Sequence, residues 1–121
     1  MDQAWQIEQE FWQASSDEVG PQQWFAKYME TDGFIVLPNR VVNRDDLVHG
    51  WHDRKPLKSW TLGEPSFTVI EGGNLVIRYE AHFEADWLPS YDAFITSVYV
   101  WGTGHWTLVC RTHTPRGSFP F

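Results

Sequence analysis

Two histidines three residues apart, His49 and His52, are the first groups whose type and spacing suit chemistry. Imidazoles at i and i+3 share one face of a helix and can share a metal ion or relay a proton. A metal also needs a third and a fourth ligand, and here Gly50 and Pro56 fray the helix end instead. The plainer reading is a pair of solvated histidines, and no metal is expected. Asp32 is a carboxylate beside Gly33, and a turn-forming Asp that bonds its own backbone explains it.

The second group lies on a segment of alternating character. Leu75, Ile77, Tyr79, Ala81 and Phe83 fall on one face, with Val76, Arg78, Glu80 and His82 on the other. By the same alternation Ile95, Ser97 and Tyr99, with Leu108, Cys110 and Thr112, are expected to point inward, leaving Arg111 and His113 outside. Tyr79, Ser97, Tyr99 and Thr112 then place hydroxyls on an apolar inner face, where each needs a partner. With Trp12, Tyr28, Trp51 and Trp60 they make up an aromatic-walled lining for a ligand, or a packed core. An enzyme would need an ionisable group in that lining, and the available ones are Asp32, His49, and the set Arg78, Glu80 and His113. Together with Arg111 on an inward face, that set would form a charged cluster for acid-base work or anion binding, and on an outer face an ion-pair ladder. Cys110, with no basic neighbour, reads as a small core residue. No glycine-rich phosphate loop, serine elbow or nucleotide fingerprint occurs, so no cofactor is expected.

These residues must be held by elements, and the periodicity says which. Ala4, Ile7, Glu8 and Phe11, beside Trp5 and Trp12, follow helical spacing over about residues 3 to 15. Gly20-Pro21 interrupts the chain, and Trp24, Phe25, Tyr28 and Met29 define a second helix. Phe34 to Leu37 reads as a short strand halted by Pro38. Asn43 is placed to cap a third helix ending near Lys55-Pro56. From Ser59 the period becomes two, with runs at Trp60 to Leu62, Phe67 to Ile70, Leu75 to Phe83, Tyr91 to Trp101 and His105 to Thr114. Gly72-Gly73-Asn74 and Gly102-Thr103-Gly104 supply hairpin turns. Helices first and a strand meander after them is an α+β pattern, and 121 residues without a linker suggest one domain.

Composition excludes some partners. Sixteen acidic against nine basic residues, a formal charge of −7, oppose binding to nucleic acid. No long uncharged apolar run suggests a membrane span, and Met1-Asp2-Gln3 opens no signal peptide. The single Cys110 fits a reducing compartment, so a cytoplasmic location is expected.

The ordered set Phe11-Trp12, Tyr28, Asp32-Gly33-Phe34, Pro38, Arg44-Asp45, Trp60, Tyr79-Glu80-Ala81, Ser97-Val98-Tyr99, Trp106 and Thr114-Pro115 resembles the nuclear transport factor 2-like superfamily. Its nearest branches are the polyketide cyclase-like (SnoaL-like) and kinase-association-like bacterial domains. The resemblance implies a cone of N-terminal helices on a curved antiparallel sheet, a pocket between them, and frequently a homodimer through the sheet. Phe94, Val98, Val100 and Val109 would supply apolar area for such pairing. The resemblance places Leu37 where the ketosteroid isomerase branch has its base. Phe11 or Trp12 stands at its phenol and Ser97 at its acid donor, so that activity is not expected. Three roles follow as expectations: a binding domain for a small apolar molecule, an isomerase, cyclase or dehydratase, or a dimerisation scaffold.

Overall fold

The structure is a computed structural model that describes residues 2–17, 19–50, 56–86, 88–102 and 104–116. Helix α1 (Asp2–Ser15) presents Ala4, Ile7, Glu8, Phe11, Trp12 and Ser15 as one buried stripe. This is the i, i+3, i+4 spacing that gathers side chains on one helix face. Helix α2 (Gln22–Tyr28) follows Pro21, whose carbonyl accepts from Phe25 N at 3.0 Å. Trp24 and Phe25 are its buried residues.

Strand β1 is longer than the apolar run alone suggests. It spans Met29–Leu37, so Met29 opens a strand instead of closing a helix, and Asp32-Gly33 lies within the strand instead of making a turn. The register against its neighbour shifts between Met29 and Phe34. That irregularity explains the glycine: a Cβ at Gly33 would collide with the Met29 side chain and lie 2.9 Å from the Glu30 carbonyl. A two-residue turn at Pro38-Asn39 leads to β2 (Arg40–Asn43). Asn43 then caps α3 (Arg44–His49), its side chain accepting from Asp46 N at 2.9 Å. The expected end of this helix at Lys55-Pro56 falls mostly outside the described residues.

The remaining strands are β3 (Leu57–Leu62), β4 (Ser66–Ile70), β5 (Asn74–Ala85), β6 (Leu88–Gly102) and β7 (His105–Pro115). The sheet order is β2-β1-β7-β6-β5-β3, and β4 continues the β3 edge of β5. Every pairing is antiparallel except β1 with β7. The turns between β4 and β5 and between β6 and β7 place Gly72, Gly73 and Gly104 at φ of 82 to 89°, a region that residues with a Cβ rarely adopt. Trp12 packs 5.3 Å from Phe83 and Trp5 5.0 Å from Tyr79, so α1 lies across the inner face of the curved sheet.

One irregularity decides what the inner face carries. Tyr99 lies opposite Leu108, but Val98 lies opposite Cys110, so Val109 has no partner on β6. This is a β-bulge, and a single extra residue exchanges the two faces of the strand beyond it. Leu108 is inside, and after the bulge so are Arg111 and His113. Cys110 and Thr112 move to the outer face. Strict alternation predicts the reverse for all four, and the bulge is the physical reason that expectation fails.

Candidate functional site

The polar centre of the interior is built on Glu8. On the α1 stripe it stands where Ile7 and Phe11 put apolar groups, and it is fully buried. A carboxylate there must be neutralised and fully hydrogen-bonded, or it becomes protonated. Arg111, also fully buried, meets it edge-on: Nη2 donates to Oε1 at 2.6 Å and Nε to Oε2 at 3.1 Å. Tyr99 donates to Oε1 at 2.5 Å and Ser97 to Oε2 at 2.7 Å, and the Tyr79 hydroxyl also donates to Oε2. Trp12 Nε1 donates in turn to the Tyr79 oxygen at 2.8 Å. The guanidinium lies 3.9 Å over the Phe11 ring and 5.1 Å from that of Trp24.

The electrostatics follow from this geometry. Burial alone would raise the Glu8 pKa, but the Arg111 charge and the hydrogen bonds from Arg111, Tyr79 and Tyr99 outweigh it and hold the carboxyl below its ordinary range. Burial and the Glu8 charge push both phenols well above theirs, so they remain neutral donors. Arg111, disfavoured by burial, is more than compensated by Glu8. Glu8 is therefore an ionised carboxylate whose lone pairs are taken by five hydrogen bonds. It has none left for a substrate proton, so it is not a general base. Two phenols, an alcohol and a guanidinium converge as they would on a reacting oxyanion, but the anion is the chain's own.

Beside this closed network two polar atoms stay open. Arg111 Nη1 and His113 Nε2 are buried and have no hydrogen-bond partner among the described residues. Burial first, and the Arg111 charge second, lower the His113 pKa to about 3, so its imidazole is neutral at physiological pH.

The residues singled out from the sequence separate clearly. Trp12, Tyr79, Ser97 and Tyr99 come together around Glu8. Trp60 is half-buried on β3 opposite Phe83 and packs against the core. Tyr28 is half-buried on α2, 5.4 Å from Trp24, and donates to Glu10 at 3.3 Å at the surface. Thr112 is carried outward by the bulge, whereas His113 is brought in. Asp32 and His49 are exposed. Glu80 is exposed on the outer sheet face and paired with Arg116 at 2.8 Å. Trp51 and His52 lie outside the described residues. Among the described residues no group of three metal-ligating side chains occurs.

Glu8 is what sequence reasoning missed, and Arg111 was read as outward, with an inward charged cluster as the alternative. The signal for Glu8 was present: a lone carboxylate in an apolar helical stripe demands a buried cation. Arg111 had no such mark, because the bulge that turns it inward has no residue signature.

No family model matches the chain, and no curated protein matches it. Solved structures do. An NTF2-like protein from Cytophaga hutchinsonii is similar with a TM-score of 0.81 and 12% identity, over 95% of this chain and 97% of that one. The fold is the nuclear transport factor 2-like fold. A putative Ca/calmodulin-dependent kinase II association domain from Exiguobacterium sibiricum shares it with a TM-score of 0.78 and 11% identity, over 97% and 93% of the two chains. The association domain of C. elegans CaMKII shares it with a TM-score of 0.68 and 13% identity, over 90% of each. At these identities the likeness establishes the nuclear transport factor 2-like fold alone. No helix among the described residues is long and apolar enough to cross a membrane.

Proposed function

We propose that this domain is a non-catalytic assembly module that pairs with a second copy through the outer face of its sheet. One observation carries the reading. Phe34, Cys110, Val98 and Val76 stand side by side on β1, β7, β6 and β5, an apolar row across four strands that no described element covers. Phe94 and Ile70, 46% exposed, extend it along β6 and β4. A contiguous apolar surface of this kind is more often an interface than free surface. Thr96, Thr112, Ser66 and Arg78 form the next row and line it with polar groups. An open groove of about 530 Å³ between Glu64, Ser66, Arg78 and Phe94 gives a partner relief to fill.

The interior supports the same reading from the other side. The saturated Glu8 takes the place of a ligand in the cone, and Asp32, His49 and Glu80 stand away from it. The presence of two kinase association domains among the similar structures favours assembly over catalysis. Cys110, half-buried in the apolar row, suits a reducing cytoplasm. A cone that binds a small apolar molecule is the weaker alternative, because Tyr79, Ser97 and Tyr99, the hydroxyls expected to meet a ligand, are taken by Glu8. Val98→Lys places a charge mid-row without touching the core. Size-exclusion chromatography with light scattering should show wild type at twice the 14.2 kDa chain mass and the variant shifted toward the single chain. Wild type at one chain mass at every concentration would remove this reading.

A further inference from the structure

We propose that His82 makes the pairing of outer sheet faces depend on pH, favouring the joined state while it carries its proton and loosening it when the proton is lost. This regulation rests on the pairing proposed above and deepens it. His82, on β5, lies opposite Asp92 on β6, and they are the outward pair next along from Glu80 and Phe94. Its Nδ1 is 2.7 Å from Asp92 Oδ1 and its Nε2 3.7 Å from Glu84 Oε1. The three side chains are 41 to 52% exposed, so a partner can still cover them. The face is wide enough for that. On β6 the apolar residues Phe94 and Val98 flank Thr96, and Asp92 is four residues from Thr96, roughly 13 Å at about 3.3 Å per residue. A standard interface covers about 800 Å² of each partner, and so reaches about 14 Å from its centre.

Charge sets the direction of the effect. Glu80, Glu84 and Asp92 put three carboxylates at this end of the face. Arg116, just past β7, takes Glu80 at 2.8 Å and lies over the Phe94 ring. From β3, Thr61 stands directly beside His82 and brings no charge, and Lys58 is held by Asp86 at 3.7 Å. Among the described residues, Glu84 and Asp92 therefore have only His82 as a cation. A neutral imidazole has one N–H to offer, whereas the imidazolium brings two and a charge between both carboxylates. Loss of the proton leaves two uncompensated carboxylates where a partner must displace water, and such groups are costly to cover. Each chain also carries a formal charge of −7, so added negative charge on joined faces opposes pairing. Chiefly through its hydrogen bond to Asp92, His82 has a pKa raised above its ordinary 6.5. Pairing is therefore tightest below pH 6.5, where His82 is protonated in free and paired chains alike, and weakens as the pH rises through the raised value.

Sedimentation velocity of the whole chain over a dilution series gives the dimer Kd at pH 6 and at pH 8.5. The wild-type Kd should rise by at least about threefold between them, the scale of one weak exposed ion pair lost in each copy. His82→Gln, neutral at both pH values, should pair weakly at both. His82→Lys, charged at both, should keep the tight Kd at pH 8.5. The side chain is exposed, so neither change disturbs the core, and melting temperatures at each pH confirm folded chains. The exposed His49 and His105 are common to all three chains, so a difference among them belongs to position 82. A wild-type Kd equal at both pH values, a Kd that falls as the pH rises, or a pH dependence unchanged in His82→Gln would overturn the regulation while leaving the pairing in place. Wild type at one chain mass already at pH 6 would remove the pairing and its regulation together.

Discussion

Glu8 shows what a single residue can impose on a fold. Removing its charge while keeping its shape, as in Glu8→Gln, leaves the Arg111 guanidinium buried without a counter-ion. A loss of about 3–5 kcal/mol is expected, a large share of the roughly 5–15 kcal/mol that holds a small domain together. Urea denaturation of the variant measures it, and replacing both Glu8 and Arg111 by Met should recover much of the loss. His113 gives a second residue-level expectation. Its folded pKa of about 3 lies below the ordinary 6.5, so the unfolded chain takes up the proton first. Its contribution is fully present above pH 6.5 and is lost as the pH falls toward 3, by up to about 1.4 kcal/mol per unit. Glu8, also lowered, adds its loss only below its ordinary 4.5. Exposed His82, raised chiefly by its hydrogen bond to Asp92, acts in the opposite direction. Stability curves of wild type and His113→Asn between pH 7 and 5 isolate the difference, and wild type should fall more steeply. Strand alternation was enough to read Tyr79, Ser97 and Tyr99 as inward hydroxyls. Their common partner was not legible, since nothing in the local sequence says which strand position will meet a helix residue 71 to 91 positions away.

At the scale of elements, the sequence signals that worked are those with a local cause. Asn43 was readable as a cap because a side-chain carbonyl three residues before a free N–H satisfies it. Asn43→Ala should therefore cost about 1 kcal/mol, seen as a lower midpoint in thermal unfolding. The glycines of the two hairpins were legible for the same reason. Gly33 was misread as part of a turn because glycine marks both a turn and a crowded strand. Its real constraint is contact with Met29 and the Glu30 carbonyl. Gly33→Val should destabilise by about 1–3 kcal/mol through overpacking, whereas a substitution in a free turn would not. The bulge at Val109 is the costliest misreading. It lies where β7 pairs antiparallel with β6 on one side and parallel with β1 on the other, a non-local setting invisible in His105 to Thr114 alone.

For the whole molecule, the order of helices and strands and the aromatic core were legible, because periodicity reports which face of each element is buried. The purpose of the opposite face was legible only as apolar residues at alternate positions. The register aligns Phe34, Cys110, Val98 and Val76 into one row, and that alignment is what argues for a partner. The charge-balanced Glu8–Arg111 pair inside and the apolar row outside both support the proposed pairing. Sedimentation velocity of the wild-type chain across micromolar concentrations tests this most directly. The account predicts a species of twice the 14.2 kDa chain mass that dissociates on dilution, and a single species of one chain mass throughout would contradict it.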